Sequence, residues 1–151
     1  MAIGTNLPFG DLAGAALVDA ALARLADEGL TVLAVSAFHR TAAWPDVADP
    51  PYTNAVAVLH AGAREAQAVL ATLLRVEAAF GRERGARNAP RTLDLDLLDL
   101  DGEVLSAPGV ELPHPRLHLR RYVLQPLAEA APDWRHPVLG KTAAELLEGL
   151  R

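Results

Sequence analysis

The chain contains no cysteine, which excludes disulfides and thiolate metal sites. No apolar run approaches the ~20 residues that a membrane-spanning helix needs. No charged-then-apolar leader opens it, so the expectation is a cytoplasmic protein rather than a secreted one. Basic charge is in deficit. The formal net charge is −5, which argues against the extended basic surface of a general nucleic-acid binder. Internal repeats, low-complexity tracts and linkers are missing too. The 151 residues therefore read as a single domain, 1–151, long enough for a proper core, and a monomer is expected.

The most informative stretch present is Arg91-Thr92-Leu93-Asp94-Leu95-Asp96-Leu97-Leu98. Leucine and aspartate alternate with the period of a half-buried β-strand, which puts the leucines on one face and both carboxylates on the other. Two such carboxylates, roughly 6–7 Å apart at Cα, can lean onto one divalent cation or bridge a pair. Their hard oxygens suit Mg²⁺, whose remaining positions are filled by water and phosphate oxygens. A solvated polar strand face would also carry aspartates. The preceding segment, residues 81–91, holds four arginines and one glutamate, a local charge of +3 in an acidic chain. A guanidinium fork suits phosphate oxygens, so a glycine- and arginine-rich loop leading into two carboxylates points to phosphate handling.

The remaining pattern alternates elements. A strand stub at Ala2-Ile3 precedes a Gly-Thr-Asn-Leu-Pro turn. Asp11 is the expected N-cap of a helix over 11–28, with Gly29 as its C′ residue. Strands are predicted over 31–39 and 52–59, with a proline-rich loop over 41–51 between them. A helix over 63–80 is stopped by Gly81. Its apolar stripe, Ala66, Val69, Leu70, Leu73, Val76 and Phe80, includes Glu77. A glutamate there needs a partner. Either Arg82 or another neighbour supplies an ion pair, or Glu77 joins a substrate or metal network. Asp101-Gly102 signals a hairpin. A strand near 122–127 and a short helix over 142–150 close the chain. The fold class is therefore α+β: a ferredoxin-like βαββαβ unit with a largely antiparallel sheet, helices on one face, the other face open for a site, and a C-terminal extension. The alternation breaks at Leu97-Leu98, where regular pairing should end.

Eight ordered motifs make the chain resemble the 6-hydroxymethyl-7,8-dihydropterin pyrophosphokinase family along almost its whole length. They are Gly4-Thr5-Asn6-Leu7; Ser36-Ala37-Phe38-His39-Arg40-Thr41; Pro50-Pro51-Tyr52-Thr53-Asn54-Ala55; Glu77 with Gly81-Arg82-Glu83-Arg84; Pro90-Arg91-Thr92-Leu93-Asp94-Leu95-Asp96; Leu112-Pro113-His114-Pro115; Arg120-Arg121-Tyr122-Val123-Leu124-Gln125-Pro126-Leu127; and Ala131-Pro132-Asp133. The resemblance implies transfer of a pyrophosphoryl group from ATP to the pterin's hydroxymethyl oxygen, releasing AMP, in folate biosynthesis. It implies that Asp94 and Asp96 hold two Mg²⁺ ions and that Arg82 and Arg91 neutralise the transferred phosphates. On the nucleotide side it places His114 and Arg120, with Glu77 and Arg84. Around the pterin it places Thr41, Ala42, Ala43, Trp44, Tyr52, Asn54, Asp94 and Tyr122. His39 receives no role, and His60, His118 and His136 read as surface histidines.

The chain departs from the family in three places. Only Met1-Ala2-Ile3 precede the glycine where the family has a longer apolar strand, so the sheet edge is expected to be weaker or the true start to lie upstream. Asn88-Ala89 replaces a Trp-Gly whose ring closes over the pterin. Ala42-Ala43-Trp44 replaces Pro-Pro-Leu, and Trp44 is expected to supply part of the lost cover. Trp134 should be remote. Two rival classes share parts of the pattern. A divalent-metal nucleotidyltransferase also combines a glycine-polar turn with D-x-D, but its carboxylates follow the turn closely. A non-catalytic ferredoxin-like ligand-binding module needs neither paired aspartates nor an arginine loop.

Overall fold

The computed structural model describes residues 1–83, 85 and 90–150. Its elements are β1 (Ala2–Thr5), α1 (Gly14–Asp27), β2 (Thr31–Val35), β3 (His39–Thr41), β4 (Tyr52–His60), α2 (Ala66–Ala79), β5 (Asp94–Asp96), β6 (Leu105–Ala107), β7 (Val110–Leu112), α3 (Arg121–Ala130) and α4 (Ala143–Glu148), with a 3₁₀ turn at Leu117–Leu119. The main sheet runs β2-β4-β1-β5, with β3 also on β4, and all its pairs are antiparallel. The fold is thus a mixed α/β arrangement on an antiparallel sheet. Among the described residues no helix is long and apolar enough to cross a membrane.

The expected strand stub is β1, and it lies in the centre of the sheet rather than at an edge. Its four residues suffice because both neighbours hold it: Gly4 faces Asn54 on β4 and Asp94 on β5. The expected strand over 31–39 divides into β2 and β3, with a register irregularity between Val32 and Ala34.

Helices α1 and α2 pack on one face. Leu17, Leu25, Leu73 and Val76 meet Ile3, Ala55, Leu93 and Leu95 there. Each fully buried leucine stabilises by roughly 1.5–3 kcal/mol. Asp11 does not cap α1, because Phe9 and Leu12 pair across it and the N-cap is Ala13. The expected C′ glycine is in place. Gly29, at φ +89°, lets its N–H reach Ala26 O while Leu30 N–H reaches Leu25 O, closing the helix end.

The second face is not fully open. The predicted strand near 122–127 is the helix α3, and Val123, Leu124 and Leu127, at helical spacing, cover Val56 and Leu98 together with Leu117, Ala143 and Leu146. β4 is therefore buried on both faces at Val56 and Ala57. Regular pairing ends after Asp96, as the broken alternation predicts. Leu97 stays with the helix-side core and Leu98 turns to the other. Asp101-Gly102 forms a tight turn, both residues at positive φ, but no ladder flanks it. The hairpin is β6–β7, a few residues later. Thr142 opens α4 with a complete capping box.

Candidate active site

The sheet face left uncovered by α3 forms the floor of a cleft of about 750 Å³. Three strands build that floor. Asn54, Gly4 and Asp94 lie abreast on β4, β1 and β5, so they share a face. A Cβ on Gly4 would sit 2.8 Å from Asn54 Oδ1, so any side chain there would push the amide out of place. Its missing side chain joins the two halves of the floor, amide on one side and carboxylates on the other. Asn54 Nδ2 donates to Thr41 Oγ1 at 2.7 Å, which orients the amide.

Asp94 and Asp96 both face the cleft while Leu95 between them is buried, as the alternation predicts. Asp94 Oδ1 accepts from Arg82 NH1 at 2.7 Å and lies 3.3 Å from Arg91 NH1. Asp96 lies 3.9 Å from Arg120, its ion pair among the described residues. Burial first, and the neighbouring Asp94 carboxylate second, push the Asp96 carboxyl up to about 6. Among the described residues no group of three or more His, Cys, Asp or Glu is placed to hold a metal ion. The donor set is thus two carboxylates, which fits Mg²⁺ with its other positions left to water and phosphate oxygens.

Local sequence explains why Arg82 points there. α2 ends at Phe80, and Gly81 (φ +73°) reverses the chain so that Arg82 N–H donates to Glu77 O at 3.1 Å. A Cβ at Gly81 would strike the Phe9 ring at 2.7 Å. Glu77 itself lies behind the cleft. Its Oε2 accepts from Arg82 NH1 and, at 2.8 Å, from Leu95 N–H. The ion pair with Arg82 that the sequence allows is present. Burial pushes its carboxyl up, against the pull of Leu95 N–H and Arg82. Asp94 and Glu77 hold the Arg82 guanidinium above its ordinary value despite burial.

Sequence reasoning gave Asn6 no role, yet it fastens Arg91 to the floor. Its Oδ1 accepts from Arg91 N–H at 2.9 Å, its own N–H donates to Arg91 O at 3.2 Å, and Nδ2 donates to Pro50 O at 3.0 Å. The Gly4-Thr5-Asn6 turn is the signal the sequence carries for it, and the structure adds that the amide is buried.

The far wall comes from the start of α3 and the segment before it. Arg120 stands 5.7 Å over the Tyr122 ring, and His114 N–H donates to Leu98 O at 2.8 Å. Burial, helped by Arg120 and Arg116, lowers the His114 pKa. Thr41, Ala42, Trp44 and Tyr52 form the near wall. Of the residues the motifs single out, Thr41, Ala42, Trp44, Tyr52, Asn54, Arg82, Arg91, Asp94, Asp96, His114, Arg120 and Tyr122 line the cleft. Ala43 is buried away from it, Glu77 stands behind it, and Arg84 lies outside the described residues, as does Asn88. Arg116, Glu83, Gly85 and Pro90 line it without an expected ligand contact.

Elsewhere, His39 pairs with Glu129 of α3 at 2.9 Å, a tie between strand and helix. His136 is buried rather than on the surface, because its ring stacks edge-on against His118 and Trp134. Trp134 is remote from the cleft, with its N–H donating to Asp99.

Two carboxylates on a strand, ringed by arginines, stand beside an amide on the floor and aromatic rings on the walls, an arrangement with the chemistry to hold phosphate next to a flat polar ring. The chain belongs to the 7,8-dihydro-6-hydroxymethylpterin-pyrophosphokinase family, whose pattern residues 1–132 match. That family consists of ATP-dependent pyrophosphokinases of folate synthesis. The chain is similar to three proteins named 2-amino-4-hydroxy-6-hydroxymethyldihydropteridine pyrophosphokinase. The one from Synechocystis is 39% identical over 80% of this chain and 60% of its own length. The one from Methylorubrum extorquens is 36% identical over 99% of this chain and 91% of its own length. The one from Pseudomonas aeruginosa is 40% identical over 65% of this chain and 59% of its own length. The matched part thus spans less than two thirds of the first and third relatives.

Proposed function

We propose that this chain transfers the pyrophosphoryl group of ATP to the hydroxymethyl oxygen of 6-hydroxymethyl-7,8-dihydropterin and releases AMP. The observation that carries the reading is the joined floor: Asp94 and Asp96, under Arg82, Arg91 and Arg120, share one sheet face with Asn54. Asn54, held by Thr41, presents amide groups to a pterin edge, since an amide both donates and accepts. Tyr52 and Tyr122 offer ring faces on the two walls. Trp44, 72% exposed on the rim, is free to fold over the acceptor.

Arg82 and Arg91 are set to neutralise the transferred phosphates, and Arg120 and His114 to grip the nucleotide side. Arg84 completes that side by family resemblance. Asp94 and Asp96 would hold Mg²⁺, two ions by the same resemblance. The metal when bound supplies charge neutralisation on the phosphate oxygens. What the chain itself contributes is positioning and preorganised charge, which is most of what phosphoryl transfer asks of a protein. We read the sheet order as a ferredoxin-like βαββαβ unit with a C-terminal extension, in one domain over 1–151, acting as a cytoplasmic monomer on small-molecule substrates.

The test is product analysis. With Mg²⁺, ATP should yield AMP only when the pterin is present. ADP as main product, AMP without pterin, or turnover unaffected by chelating the metal would each overturn the reading.

A further inference from the structure

Glu77 lines no part of the cleft, yet it touches the two groups there that must be aimed. It is 4% exposed within the apolar stripe of α2, beside Leu73 and Val76. Its Oε2 accepts from Arg82 NH1 and from the N–H of Leu95, the residue between the two aspartates. Arg82 NH1 in turn donates to Asp94 Oδ1 at 2.7 Å. One carboxylate oxygen therefore ties a guanidinium to the peptide that carries both Asp94 and Asp96. Stability alone is a weak reason for this arrangement, because desolvating a buried ion pair offsets its attraction and an apolar side chain would fill the stripe as well. An arginine that faces developing charge gains from being held before the reaction, since it then need not reorganise during it.

We propose that Glu77 is a positioning residue for pyrophosphoryl transfer: it orients Arg82 and the Asp94-Leu95-Asp96 strand, and it does not itself bind ATP. This rests on the function proposed above and replaces the nucleotide contact implied by the family motif.

Two conservative variants separate aim from charge. Glu77→Asp keeps the charge but draws the oxygen back by one methylene. Glu77→Gln loses the charge but keeps an acceptor oxygen at the same reach for both donors. With Glu77→Asp, kcat for AMP formation should fall about 100-fold, the size of effect seen when a preorganised donor is lost. The KM for ATP, and the calorimetric Kd of a non-hydrolysable ATP analogue, should stay within about threefold, because the lost interaction acts in the transition state. Glu77→Gln should stay within about tenfold of wild-type kcat by the same reasoning. In an Arg82→Ala background most of either loss should vanish, because the two residues act as a unit. Both variants enter that cycle, so either alone decides it.

Weaker binding of the ATP analogue with kcat retained would overturn the proposal in favour of a direct nucleotide contact. Near-normal Glu77→Asp with an impaired Glu77→Gln would also overturn it, since charge rather than aim would then matter. So would losses that multiply with Arg82→Ala, or a kcat loss accounted for by unfolding in a parallel melting curve. Failure of the wild-type enzyme to form AMP would remove the pyrophosphokinase reading itself and this proposal with it. The other outcomes leave that reading standing.

Discussion

The floor of the cleft and its rim are built on different principles. The floor is three paired strands. Most of its functional groups are held by a further bond: Asn54 by Thr41, Asp94 by Arg82 and Arg91, and Arg91's backbone by Asn6, while Asp96 has Arg120 at 3.9 Å. The rim is carried by loops and a helix start. Trp44 is 72% exposed, and Arg116 is exposed as well. Preorganised groups can stabilise charge that develops only in the transition state, whereas mobile ones can add contact to substrates already bound. Floor substitutions should therefore appear mainly in kcat, and rim substitutions mainly in binding.

The largest break of that contrast would come from the aspartates. Asp94→Ala or Asp96→Ala should lower kcat by about a thousandfold or more, because each removes a ligand of the proposed Mg²⁺. Both face away from the leucine core, so circular dichroism should show an intact fold. More than about a tenth of wild-type turnover, a loss below ~1.4 kcal/mol, would dissolve the metal assignment. Next come Arg82→Ala and Arg91→Ala, each expected to cost about a hundredfold in kcat with little change in KM. Arg82→Ala should also melt earlier, since it strips the cation from the buried Glu77.

Smaller effects belong to the rim. Arg120→Ala should raise the Kd for an ATP analogue about tenfold, ~1.4 kcal/mol, and leave kcat nearly unchanged. A kcat loss equal to that of Arg82→Ala would mean the triphosphate lies the other way round. The smallest effect is expected at Trp44. An aromatic face over a flat heterocycle is worth roughly 0.5–1.5 kcal/mol, so Trp44→Ala should weaken pterin binding several-fold. With Trp134 replaced by Phe, Trp44 emission should shift when pterin and the ATP analogue are added together. Unchanged emission and affinity would leave the cleft uncovered on that side.

Much of this site could be read in the chain because its signals are local. The leucine–aspartate alternation reports which residues share a strand face, and that face is the floor. The glycines after α1 and α2 mark helix ends because only a turn at positive φ closes them. Residues 122–127 form part of a helix where the sequence predicts a strand, for a related reason. Arg-Tyr-Val-Leu-Gln-Pro contains strand-favouring side chains and a proline, and these local preferences point away from a helix. What decided otherwise was a partner remote in sequence: Val56 and Leu98 on the sheet's second face needed cover, and Val123, Leu124 and Leu127 supply it only at helical spacing. The same holds for β1. Its shortness suggested an edge, but hydrogen bonding on both sides places it in the centre.

The sequence by itself determined the C-terminal ends of α1 and α2, the two-faced Asp94-Leu95-Asp96 strand and the family, because each depends on side-chain chemistry over a few adjacent residues. Only the tertiary structure decided that Asn54, Gly4 and Asp94 stand abreast, that Asn6 clasps Arg91, and that Glu77 turns to Arg82 and Leu95 rather than to the cleft. Those are relations between segments tens of residues apart. Register, burial and the satisfaction of buried donors set them, and none of these is a property of any one stretch of chain.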